Sequence, residues 1–97
     1  MRATTAVYRA LQNQFRGIVP MDLFKKHIYT GKSDPGEWSP GALVVVHTEC
    51  GLPNPCDGDG CSMDEEWRKV DKDASYLLGY AIYHEPVNGA VVAFYKV

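Results

Sequence analysis

Apolar residues in the first stretch of the chain recur at spacings of three and four: Ala3, Ala6, Val7, Ala10, Leu11, Phe15 and Ile18. That spacing draws one stripe along a helix. Thr4 or Thr5 offers an N-cap, and Gly17 followed by Pro20 ends the run. Arg2, Arg9 and Arg16 stand seven apart, so at ~3.6 residues per turn they nearly align on the opposite face. The pattern predicts a first helix that buries one side and presents a row of guanidinium groups on the other. A second, short helix is predicted over residues 21–31. There Asp22 is the cap, Leu23, Phe24, His27 and Ile28 form the inward face, and Gly31 is the stop.

Residues 32–41 carry two prolines and two glycines and read as loop. Residues 42–49, "ALVVVHTE", are rich in β-branched side chains and predict a strand. Further on, Ser62 and Glu65 make a capping-box spacing. Met63, Trp67 and Val70 then share a helical face, and acids precede bases as a helix dipole prefers, which predicts a third short helix. Residues 75–84 and 90–97 flank "EPVNG" and predict a C-terminal β-hairpin. Both faces of that hairpin are apolar, whereas a half-exposed antiparallel sheet alternates apolar with polar. Two helices cover one face, so the other is expected to meet a second copy of the chain as a homodimer, or the chain's own loops or third helix. The expected fold class is α+β. Two N-terminal helices pack on a small antiparallel sheet of about three strands, which ends in the hairpin, and residues 1–97 form a single domain.

Composition supports a folded domain: 97 residues, 45% hydrophobic and 23% charged, suffice for one modest core. No apolar run approaches the ~18 residues that span a bilayer, and the first residues lack the uninterrupted apolar stretch of a secretory signal. A cytoplasmic home without membrane contact is expected. The net charge of −2 conceals a sharp separation. Residues 1–32 hold six cations against Asp22 alone, a balance of +5, and residues 33–66 hold eight carboxylates and no Lys or Arg, a balance of −8. Such blocks bear on partners and association rates rather than on fold.

All three cysteines fall in "HTECGLPNPCDGDGC", residues 47–61, and three readings of that loop stay open. His47, Cys50, Cys56 and Cys61 supply one imidazole and three thiolates, the donor set of tetrahedral zinc, and an ion would hold a long loop in place. The spacing H-x2-C-x5-C-x4-C lacks a C-x2-C pair, and His47 and Cys50 point to opposite faces of a strand unless it ends between them. A Cys56–Cys61 disulfide is the second reading, opposed by the odd count and a reducing compartment. Ordinary reduced thiols are the third. The neighbouring acids Asp57, Asp59, Asp64, Glu65 and Glu66 miss the EF-hand pattern for calcium and gather instead into a negative patch.

Catalysis has thin support. Cys50 with His47 or His84 would make a nucleophile–base pair, but no third orienting group accompanies it. His84, beside the hairpin turn, is expected to face solvent, and His27 to be a partly buried helix residue. The arginine row with Lys25, Lys26 and Lys32 suits nucleic-acid phosphates, yet the pI is about 5.8 and no nucleic-acid-binding signature is present. The expected function is a small non-catalytic binding or regulatory protein, of inhibitor or adaptor type. It docks on a larger protein partner through a charge-polarised surface, with Asp57, Asp59, Asp64, Glu65 and Glu66 on one side and Arg2, Arg9 and Arg16 on the other. A nucleic-acid-associated protein is the alternative, and a small cysteine- or metal-dependent enzyme the one after it.

Overall fold

The computed structural model describes residues 1–17, 25–55 and 63–97. Among these, helix α1 spans Ala3–Gln14 and helix α2 spans Asp64–Leu78. Four strands, β1 Ile28–Tyr29, β2 Val44–His47, β3 Ile82–Asn88 and β4 Val91–Lys96, pair antiparallel in the order β1-β2-β4-β3. The class is α+β as expected, with two corrections. One helix is N-terminal and the other lies mid-chain, and the sheet has four strands rather than about three. The additional strand, β1, falls inside the stretch expected to be the second helix; residues 21–24 of that stretch lie outside the described residues. Ile28 pairs with Val46 and Tyr29 with Val45, and the His47 N–H donates to the His27 carbonyl at 2.9 Å. A β-branched and an aromatic residue beside an established strand extend it.

The stripe of α1 is buried as its spacing dictates, with Ala6, Val7, Ala10, Leu11 and Phe15 all inside. Its N-cap is Arg2 rather than Thr4 or Thr5, and the Arg2 side chain makes no capping bond. Helix α2 starts at Asp64, with Asp64, Glu65 and Glu66 in its first turn, where the dipole favours acids. It runs through residues expected to open the hairpin. Trp67, Val70, Ala74 and Leu78 keep helical spacing and pack inward, so Tyr76 stands on the outer surface, 87% exposed. Gly79 ends the helix at φ 81, a conformation that costs glycine least. The Ser75 hydroxyl then accepts the Ile82 N–H at 2.9 Å and ties the helix end to β3.

The main core lies between the two helices and one sheet face. Trp67 is its centre, with ring centroids 5.6 Å from Phe15 and 6.0 Å from Phe94, among Val44, Val46, Val92 and Ile82. On the other face Val45, Val91 and Ala93 are also buried. The loop between β1 and β2 turns onto this face through Asp34, whose buried carboxylate meets Nε2 of His47 at 2.7 Å. The same carboxylate accepts the N–H groups of Gly36 and Trp38 at 3.1 and 3.3 Å. Gly31 makes the fold-back sterically feasible, because a Cβ there would strike the carbonyl oxygens of Ala42, Ser39 and Pro40. The centre of the second face is thus buried within one chain.

The cysteine loop begins with a single 3-10 turn, Thr48–Cys50. Leu52 enters the main core, and the Pro53 carbonyl accepts the Trp67 indole N–H at 2.7 Å. The Asn54 amide donates to the Thr48 hydroxyl at 3.0 Å and to the Asn88 carbonyl at 3.1 Å. Residues 51–55 are therefore held by ordinary packing and hydrogen bonds. Among the described residues, no helix is long and apolar enough to cross a membrane.

Candidate functional site

The outer face of α1 and its two ends carry a row of exposed cations. Arg2, Arg9 and Arg16 are all exposed, as their spacing predicts. Arg9 is common to three concavities along this face. One, of about 440 Å³, is lined by Arg2, Thr4, Thr5, Tyr8, Lys25 and Ile28 besides Arg9. The next, of about 460 Å³, adds Gln12, Asn13, Arg16 and Gly17. A third, of about 300 Å³, lies over the seam between the helices with Asn13, Asp73, Tyr76 and Leu77. Arg16 donates to the Asn13 amide oxygen at 3.4 Å, and Asn13 in turn donates to Asp73 at 3.2 Å. Arg2, Arg9 and Lys25 are different: among the described residues, no carboxylate pairs with any of them. Three cations thus line one concavity with no counter-charge among the described residues.

Of the predicted acidic group, Asp57 and Asp59 lie outside the described residues. Glu65 is exposed, and Glu66 is half-buried with its Oε2 buried and without a hydrogen bond. Asp64 is engaged inside the molecule. One of its oxygens meets Arg68 at 2.8 Å and the other meets Nε2 of His84 at 2.8 Å. On its other side His84 meets Asp71 through Nδ1 at 2.6 Å. The expectation that His84 faces solvent is corrected, since its side chain is 5% exposed. Trp67 and Phe94 flank it, with ring centroids 6.2 and 6.3 Å away. Burial disfavours charge on this ring, but the bond to Asp71 and its field, then those of Asp64, outweigh it and raise the pKa above the ordinary 6.5. Both ring nitrogens face carboxylates, so the site suits an imidazolium and leaves no nitrogen to accept a proton from a substrate.

His47 and Asp34 form a second pair, on the far sheet face. The Tyr29 ring stands edge-on to the imidazole at 5.3 Å between centroids. Burial works against the Asp34 charge, yet the His47 bond and the two backbone N–H groups outweigh it and hold the carboxyl below its ordinary 3.8. Of the four predicted zinc ligands, His47 ends β2 with Nε2 on Asp34, and Cys50 closes the 3-10 turn. Cys56 and Cys61 lie outside the described residues. Among the described residues no group of three or more His, Cys, Asp and Glu is placed to hold a metal.

Asp34 and Asp71 are the site residues that sequence reasoning passed over as contributors, whereas Lys25 had entered it beside the arginine row. Asp71 stands seven residues after Asp64, and so on the same helix face. That spacing beside an inward Trp67 was the available signal for a buried cation. Comparison with protein-family models, with curated proteins and with solved structures finds no match to this chain.

Proposed function

We propose that this chain is a non-catalytic binding protein that docks on a larger protein partner, receiving an acidic surface of that partner along the outer face of α1. The observation that carries this reading is the run of concavities sharing Arg9, with Arg2, Arg9 and Lys25 unpaired among the described residues. Clustered cations of one sign steer an oppositely charged partner and raise its association rate. The two described histidines with carboxylate partners, His47 and His84, serve to hold loop and helix in place, which fits a binding role better than a catalytic one. In this proposal exposed Glu65 is assigned to the acidic side of the charge-polarised surface, and Asp57 and Asp59 join it from their place in the sequence alone.

The test uses a fluorescent oligoglutamate peptide and an oligonucleotide of equal charge. The peptide is expected to bind, and the triple change Arg2→Glu, Arg9→Glu and Arg16→Glu to weaken it by at least about tenfold, the scale of a few charge contacts. Thermal unfolding should be unchanged in that variant. Equal binding by wild type and variant would remove the arginine face from the proposal. Preference for the oligonucleotide, falling steeply with salt, would move the protein to the nucleic-acid class.

Zinc at His47, Cys50, Cys56 and Cys61 enters the same proposal as a device for holding the cysteine loop, with no work left for it in residues 51–55. Native mass spectrometry with and without a chelator reads this directly. One zinc per chain, lost with chelator together with thermal stability, is the expected result; a bare chain of undiminished stability overturns it.

A further inference from the structure

We propose that the concavity formed by Arg2, Arg9 and Lys25 binds a phosphomonoester, carried as a phosphorylated side chain on an extended acidic segment of the docking partner. The inference rests on the docking reading above and names what its first contact is. Arg9 comes from the outer face of α1, Arg2 from its N-cap, and Lys25 from the segment leading into β1, so the three cations line one space of about 440 Å³. Thr4 and Thr5 line the same wall and add hydroxyl donors. No described carboxylate lines this concavity, and the first turn of α1 contains no acid.

The chemistry of the cluster selects the anion. A phosphomonoester carries roughly −1.5 to −2 at pH 7 on three acceptor oxygens, whereas a carboxylate carries one charge and an internal phosphodiester one. Arginine forks match phosphate oxygens bidentately, and a lysine adds a point charge. Two arginines with a lysine therefore gain most from a compact dianion. The concavity continues through Arg9 into the neighbouring one, which ends at Arg16. This sets the direction of the occupant: phosphate at the Arg2 end, and ordinary acidic side chains along the chain toward Arg16.

Isothermal titration calorimetry with a synthetic phosphoserine peptide bearing an acidic flank, its unphosphorylated twin and a single-stranded oligonucleotide tests this. The phosphopeptide is expected to bind about tenfold or more tighter than its twin, the scale of one or two charge-assisted hydrogen bonds. Lys25→Ala, which touches the first concavity alone, should abolish that preference. Arg16→Ala, which touches the second, should weaken both peptides by the same factor and leave the preference intact. Unfolding midpoints for both variants exclude a folding defect. Equal affinity for the two peptides, a preference that survives Lys25→Ala, or oligonucleotide binding as tight as that of the phosphopeptide would each overturn the proposal. If the two peptides bind equally and both are lost on triple arginine reversal, the phosphate site falls while the docking reading stands. If neither peptide binds, both fall.

Discussion

Trp67→Ala is expected to cost about 4 kcal/mol, the range for removing a large aromatic side chain from a packed interior. A domain of this size has roughly 5–15 kcal/mol to lose, so the variant should stand at or near the edge of unfolding. Trp67 is fully buried, and its truncation takes away contacts with Phe15 and Phe94 together. It also strips the Pro53 carbonyl of its indole donor, which loosens the entry to the cysteine loop. Trp67→Phe keeps most of the ring and loses that donor, so it should cost about 1–3 kcal/mol. Urea unfolding followed by far-ultraviolet circular dichroism measures both. A loss below about 1 kcal/mol for Trp67→Ala, the size expected of a surface substitution, would mean that the core is built elsewhere.

The second large effect belongs to His84. Its replacement by Ala leaves Asp71 and Asp64 without the cation they share. Removing one partner of a buried ion pair costs about 3–5 kcal/mol. Arg68 partly relieves Asp64, but the free oxygen of Asp71 is buried without a hydrogen bond. The folded pKa of His84 lies above its unfolded value of 6.5. Its stabilising contribution is therefore complete below that value and is lost as pH rises through the folded one. Wild-type urea midpoints should fall as pH rises above about 6.5, and His84→Ala should flatten that part of the profile. The double change Asp71→Leu with His84→Leu should recover most of the loss, because well-packed apolar residues commonly replace buried ion pairs without penalty. A wild-type profile as flat as that of the variant would show that the ring is neutral in the folded protein.

The parts legible from sequence were those whose signal is local. The α1 stripe and the arginine row follow from spacing alone, and β2 follows from three consecutive valines. The α2 boundary was not legible, because "SYLLGYAIYH" reads as one apolar and aromatic strand while Trp67, Val70, Ala74 and Leu78 continue a helix; Gly79 was the stop signal that separated the two. Strand β1 is two residues long and exists because Val45 and Val46 lie beside it, partners that stand 16 and 18 residues away in the chain. The His84 site brings together residues 13 and 20 positions apart. Nothing near His84 announces those partners, so a turn-flanking histidine read as a solvated one. The Asp34–His47 pair is hidden in the same way, since its loop looks like any Pro- and Gly-bearing connection until it folds onto the sheet. In the cysteine loop the holding contacts run to Trp67 and Asn88, which spacing among the thiols could not disclose.

The outer strand β3 carries a consequence for assembly. It pairs with β4 on one side, and its register shifts between Pro86 and Asn88. Pro86 has no N–H to offer an incoming strand, and the bulge twists the edge away from a flat approach. The opposite edge, β1, is two residues long and gives a newcomer almost no ladder to extend. Strand addition is therefore disfavoured at both described edges of the sheet, and a concentrated solution of the chain has little edge from which to template its own aggregation.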